Sequence, residues 1–224
     1  MTEQFKILSA RDHVRSRMGM YVGSSAVEEV EQFLFGKWTK VRYTPALFKM
    51  INEILDNSID EAIRTSFSHA TKIDVTMNDT TVTVTDNGRG IPQQTIQTPE
   101  GDAISRPVAA WTRVNAGTSF EDNRTTIGAN GLGSAAVNFL SSSFTGTTWS
   151  NGTCLTVMCK AGASEVKTKE TKKMGSGTSV TFTADFPIFE CDSFAGQDIA
   201  LSLIHISEPT RQAEISYAVF CLKK

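Results

Sequence analysis

The stretch that most constrains this chain is Glu53 to Ala62, Glu-Ile-Leu-Asp-Asn-Ser-Ile-Asp-Glu-Ala, within a segment of helical character from about Pro45 to Arg64. Thr44 stands at the N-cap position and Pro45 at the first helical position, both common start signals. At roughly 100° per residue, Glu53, Asp56, Asn57 and Asp60 share an arc of about 100°. Leu47, Ile51, Ile54, Leu55, Ile59 and Ala62 take the other side, as a core-facing helix requires. Carboxylates crowded on one face repel one another, and asparagine is a poor helix former. Such a face is either solvated or reserved for a cation or ligand, and the helix by itself leaves both open.

A second motif tips that balance. Lys72–Met77 and Thr80–Thr85 read as a hairpin around Asn78-Asp79, followed by Asp86-Asn87-Gly88-Arg89-Gly90-Ile91-Pro92. Strict alternation puts Asp86 on the same face as Val82 and Val84, at the end of an apolar row. A carboxylate there needs donor partners or it costs several kcal/mol. Gly88 and Gly90 let the backbone approach something flat or bulky. Taken alone, the bland reading is a hairpin running into a glycine turn.

Together the two motifs resemble the GHKL ATPases, the group of gyrase B proteins, MutL, ninety-kilodalton heat-shock chaperones and sensor kinases. The resemblance implies an α+β fold, a two-layer α/β sandwich of the Bergerat type. In it, helices cover one face of a mixed, mostly antiparallel sheet. It also implies roles. Glu53 would be the catalytic base that activates water, Asn57 would ligate Mg²⁺, and Asp86 would accept the adenine amino group. Asp60 is counted with the cofactor-binding residues. Val84, Gly90, Ile91 and Pro92 would shape the base pocket, and Arg89 would pair with Glu61 at its mouth.

Other stretches narrow the resemblance. Arg15-Ser16-Arg17-Met18-Gly19-Met20-Tyr21-Val22-Gly23 is similar to the R-x-R-P-G-M-Y-I-G opening of type II topoisomerase ATPase regions, with Met18 replacing proline. Chaperones, MutL and kinases lack this opening. Ala26 to Arg42 reads as a hairpin or docking insertion whose aromatics, in Phe33-Leu34-Phe35-Gly36-Lys37-Trp38, are expected to pack inward. The absence of G-x-x-x-x-G-K-[ST] excludes a P-loop there. Gln93 to Pro107 is polar and expected to be loop, and Val108, Trp111 and Thr112 repeat at core helical spacing.

Asn115 to Ser134 is glycine-rich and runs into a helical stretch, Ala135 to Leu140. Backbone N–H groups fed toward a helix start make an anion site. The order is wrong for a Rossmann fingerprint, which wants its glycines straight after a strand. The stretch resembles the family's ATP lid, so Asn130, Gly131, Leu132, Gly133 and Ser134 would cradle the phosphates. Thr118 and Ser119 stand where the topoisomerase lid has glycine and lysine, so no lysine contact carries over. Phe144 to Phe182 reads as three or four strands, with Lys160 to Lys173 as a solvated edge hairpin. Gly175 to Phe182 resembles the G-T-x-V-x-F strand, whose threonine, here Thr178, supports the adenine pocket.

Composition sets outer bounds. The 224 residues, 40% hydrophobic, allow one good-sized domain, and a net charge of −2 gives no electrostatic footprint for wrapping DNA. Cys154, Cys159, Cys191 and Cys221 form no C-x-x-C pair, and three scattered histidines offer no metal spacing, so reduced structural cysteines are expected. The polar start lacks a signal peptide and no run suits a membrane span, which points to a soluble cytoplasmic protein, in the host cytoplasm if phage-encoded.

The pattern is closest to the ATPase-bearing large subunits of tailed-bacteriophage type II topoisomerases, over about Phe5 to Ile199. The resemblance then implies an ATPase domain over residues 1–200, truncated before the transducer that carries the family's catalytic lysine. Such a piece would bind ATP, dimerise on it as a gate, meet DNA through the full enzyme and its other domains or subunits, and hydrolyse slowly. Residues 201–224 break with what precedes and resemble translated adapter DNA; a native strand and short helix is the other reading. The alternatives are a MutL- or chaperone-type ATPase, or a non-catalytic nucleotide-binding or interaction module. A histidine kinase lacks room here for its phospho-acceptor hairpin.

Overall fold

A computed structural model of the chain describes residues 7–34, 36–99, 101–116, 132–195, 197–198 and 221–222. The expected central helix is α2, Pro45–Arg64, and its apolar arc carries the core: Leu47, Met50, Ile51, Ile54 and Leu55 are buried. Thr44 is its N-cap but makes no side-chain cap bond. Its hydroxyl instead lies 3.6 Å from the Cys191 sulfur, and the Ala46 N–H donates to the Ser24 carbonyl at 2.9 Å. A first-turn donor is thus satisfied by backbone from a neighbouring segment.

Preceding α2 are α1 (Ala10–Ser16), a 3-10 turn at Met18–Met20, and a hairpin of β1 (Glu28–Leu34) and β2 (Lys37–Tyr43). Arg15 of α1 donates to the Asp185 carboxylate at 2.6 Å and to the Phe139 carbonyl at 2.9 Å. The hairpin forms its own two-stranded sheet. Its aromatics do not pack inward. Phe33 and Trp38 are 50% and 71% exposed and meet edge to face at 5.6 Å. The cause is strand periodicity: Val41, fully buried, and Tyr43 point to the body, so Trp38, and with it its cross-strand partner Phe33, must face out.

After α2 come β3 (Ile73–Met77) and β4 (Thr81–Asp86), the expected hairpin with each strand start one residue later. The stretch expected to be loop contains a small hairpin, β5 (Thr95–Gln97) with β6 (Ala103–Ser105), leading into α3 (Arg106–Thr112). Trp111 is buried and Val108 packs against the core, as the spacing indicates. Then follow α4 (Gly133–Phe139), β7 (Ser141–Ser150), β8 (Thr153–Lys160), β9 (Glu165–Lys172) and β10 (Gly177–Ala184). β11, Cys221–Leu222, pairs parallel with β3, while residues 199–220 lie outside the described residues.

The seven-stranded sheet runs β11-β3-β4-β10-β7-β8-β9, and all its pairs but β11–β3 are antiparallel. The fold is therefore the expected mixed sheet with helices. The helix-facing row includes Val75, Val82, Val84, Phe144, Val157, Val180 and Phe182, all buried. The other face is hydroxyl-rich: Thr81 meets Thr183, Thr83 meets Thr181, and Thr85 meets Ser179 at 3.0, 2.9 and 2.7 Å. Such an alternation lets one antiparallel face be solvated without apolar exposure. Edge strand β9 is exposed at every residue, as its lysines and glutamates indicate. Cys154, Cys159 and Cys191 are free.

Within α2 the acidic arc carries a cost at one residue. Asp56 is half-buried, and its pKa is pushed up to about 6, first by desolvation, with Glu53 and Asp60 adding repulsion and Lys49 opposing. Below the unfolded value of 3.8 the carboxyl is protonated in both states and costs nothing. As pH rises from there to about 6 the unfolded chain ionises it before the folded chain does, stability falls, and above 6 the full cost is present. Asp56→Asn should therefore raise the melting temperature at pH 7.5, by ~2–4 °C for a solvent-screened gain of about 1 kcal/mol. Melting curves across pH should show that gain shrinking toward pH 4.

Candidate functional site

Two elements bring the site residues together. α2 presents Glu53, Asn57, Ser58, Asp60 and Glu61 to a cleft whose other walls include Val84, Asp86, Arg89, Gly90, Ile91, Pro92, Leu132, Gly133, Ser134 and Thr178. Asp56 is not among the cleft-lining residues, so the four-residue polar arc of the helix divides three to one. Asn130 and Gly131, expected to cradle phosphates, lie outside the described residues.

At the inner end sits Asp86, 7% exposed. Its carboxylate accepts from the Ser58 hydroxyl at 2.9 Å and from the Gly88 N–H at 2.8 Å, and the nearby Thr178 backbone also favours its charged form. Burial is the largest influence and raises its pKa despite these donors, with Glu61 adding repulsion. An ionised carboxylate offers roughly four lone-pair directions, so two donors leave about half of its accepting capacity for a ligand. Thr178 is the cross-strand partner of Asp86, which is how β10 reaches the site.

At the mouth, Glu61 and Arg89 pair as expected. Arg89 donates from Nε at 2.7 Å and from a terminal nitrogen at 3.0 Å, and its backbone N–H adds a third bond at 3.1 Å. Burial pushes the Glu61 carboxyl up, but the bonds and charge of Arg89 outweigh it and hold the group below its ordinary value. This two-pronged pairing fixes the turn that follows Asp86 against α2.

Farther along α2, Glu53 is ion-paired with Lys49 at 2.6 Å, one helical turn back. Gly133, the first residue of α4, packs directly on the Glu53 carboxylate, and a Cβ there would overlap it. Asn57 donates from its amide nitrogen to the Glu53 carbonyl and to the Ser134 hydroxyl at 3.1 Å. Its nitrogen is thus spent and its oxygen is the end left for a ligand. A hard cation wants oxygen donors, and Mg²⁺ takes one or two protein ligands with phosphates and water completing its shell. The donor set fits such an ion. No cluster of three or more His, Cys, Asp or Glu residues able to hold a metal alone occurs among the described residues.

Two residues escaped the sequence reading. Ser58 is 5% exposed and binds Asp86. Its signal was available, a lone serine inside the apolar arc between Ile54 and Ala62. Thr148 of β7 is fully buried and holds the Ile91 N–H at 2.7 Å. Nothing local marks it among the many threonines of that strand.

Comparison with known proteins agrees with this geometry. A family model described as histidine kinase-, DNA gyrase B- and HSP90-like ATPase matches residues 42–188. The DNA topoisomerase large subunit of Enterobacteria phage T4 is 47% identical over 194 residues, covering 86% of this chain and 38% of that protein. The DNA gyrase B protein of Caulobacter vibrioides is 36% identical over 142 residues, covering 62% of this chain and 15% of that one. The chain thus spans well under half the length of these relatives. The crystal structure of the ATPase region of Saccharomyces cerevisiae topoisomerase II superposes with a TM-score of 0.79 at 26% identity, covering 90% of this chain and 56% of that one. The chain belongs to the histidine kinase-, DNA gyrase B- and HSP90-like ATPase family.

Proposed function

We propose that this chain binds ATP with Mg²⁺ in the cleft beside α2 and serves as the ATP-operated gate of a type II DNA topoisomerase. The observation that carries the nucleotide reading is Asp86: a buried, cleft-lining carboxylate with two protein donors and accepting capacity to spare. The exocyclic amine of adenine is the donor that fits it. The topoisomerase reading rests on the likeness to the phage and yeast proteins.

Glu53 takes a proton from the water that attacks the γ-phosphate, and Lys49 and Gly133 hold its carboxylate in place. Asn57 offers its oxygen to Mg²⁺ and ties α2 to the start of α4 through Ser134. Bound Mg²⁺ supplies neutralisation of the charge that develops on the phosphates. Leu132, Gly133 and Ser134 form the phosphate side, and Val84, Ile91 and Pro92 wall the base. Two copies would close on ATP, DNA would pass through the full enzyme, and the catalytic lysine would come from its transducer domain. Residues 1–200 form the ATPase domain in this reading. Among the described residues no helix is long and apolar enough to cross a membrane.

Calorimetric titration with a non-hydrolysable ATP analogue and Mg²⁺ tests the base pocket. A hydrogen bond to a charged group contributes roughly 1.5–3 kcal/mol, so Asp86→Asn should weaken binding about 10- to 150-fold. A folded wild-type chain that binds no nucleotide would leave the interaction-module reading in its place. For the chemistry, Glu53→Gln should keep analogue affinity and lose ~10²–10⁴ of the single-turnover hydrolysis rate. An unchanged rate would remove Glu53 as the base.

A further inference from the structure

Asp86, Thr178 and Thr148 are cross-strand partners over β4, β10 and β7, so they form one polar row on the helix-facing side of the sheet. Thr148 is fully buried, and its single hydroxyl is used twice. It accepts the Ile91 N–H at 2.7 Å and donates to the Gly177 carbonyl at 3.4 Å. The preceding residue, Gly90, has φ +75°, and a Cβ on it would stand 2.6 Å from the Trp149 carbonyl oxygen and 3.1 Å from the Thr148 hydroxyl. The turn that walls the base is therefore drawn tight onto β7, and one side chain joins it to the start of β10.

That junction bears on which purine the site accepts. An ionised carboxylate is an acceptor only, so Asp86 asks just for donors. Adenine meets it with the 6-amino group. Guanine has a carbonyl at that position but carries two donors, N1–H and the 2-amino group, on the adjacent edge. A guanine able to shift in its pocket would offer a carboxylate two hydrogen bonds where adenine offers one. Asp86 alone therefore does not select adenine. Selection requires a wall that fixes the register of the ring against the carboxylate.

We propose that Thr148 is the specificity-determining positioning residue of this site: by pinning the Gly90–Ile91 turn to β7 and β10, it holds the purine in the register that presents its 6-position to Asp86. The proposal rests on the nucleotide reading given above. Thr148 does not touch the base itself; it acts through Ile91 and Gly177.

The test uses the 224-residue chain and calorimetric titration with non-hydrolysable ATP and GTP analogues plus Mg²⁺. Wild type should favour the ATP analogue by about 100-fold or more. Thr148→Val keeps the shape and removes the hydroxyl. It should weaken the ATP analogue about tenfold and leave the GTP analogue unchanged or tighter, bringing the ratio to about 10 or below. Thr148→Ser, which keeps the hydroxyl, should retain the wild-type ratio. A Val variant with an unchanged ratio, whether both affinities fall or neither does, overturns the proposal, because a purely structural residue would behave that way. A wild type without preference for ATP sinks the base-reading role of Asp86 as well, so the two failures are distinct. If the Val variant does not fold, amide exchange in wild type decides. The Ile91 N–H should be strongly protected without nucleotide, and free exchange there overturns the proposal.

Discussion

A carboxylate buried at the end of a core-facing strand is a constraint that neighbouring elements must meet, and here Asp86 sets it. β4 places it by alternation behind Val82 and Val84. α2 answers with the Ser58 hydroxyl and the following turn with the Gly88 N–H, while β10 sets the Thr178 backbone alongside. Even so, burial still raises its pKa. In the proposed reading, the accepting capacity that these donors leave is what the adenine amine would take up.

α2 reconciles two demands along its 20 residues. Its apolar arc packs on the sheet, and that packing fixes the helix rigidly enough for its polar arc to be positioned. Three polar residues of the helix then have fixed partners from another element or from the helix itself: Lys49 for Glu53, Ser134 for Asn57, Arg89 for Glu61. Gly133 lets α4 start directly against Glu53. The two ends of the cleft, proposed for base and phosphates, are thereby referred to one helix, as expected for a site mounted on rigid elements.

Much of this was legible in the residues because it depends on short-range periodicity. The bounds of α2, the burial of Asp86 and the edge character of β9 all follow from counting positions along one element. The motif resemblance supplied roles for Glu53, Asn57 and Asp86 that periodicity does not contain. What failed was orientation relative to the rest of the body. Phe33 and Trp38 were expected inside because aromatics usually bury area, yet the parity of β2 is fixed by Val41, which turns them out. Thr148 was not legible for a related reason. Its meaning arises only from sheet register, which sets it level with Thr178 and Asp86 across two strand boundaries.

The central claim is that Asp86 is held for a ligand at the expense of the empty fold. Thermal melting of wild type and Asp86→Asn at neutral pH, each with and without Mg²⁺ and a non-hydrolysable ATP analogue, addresses it directly. The account predicts that the order inverts. Without nucleotide the Asn variant should melt no lower than wild type, since a half-satisfied buried charge has been removed; with saturating nucleotide wild type should melt higher, because only its carboxylate gains the adenine amine. A wild type several degrees more stable than the variant without nucleotide, and gaining no more from it, would show that Asp86 is a structural anchor and contradict the account.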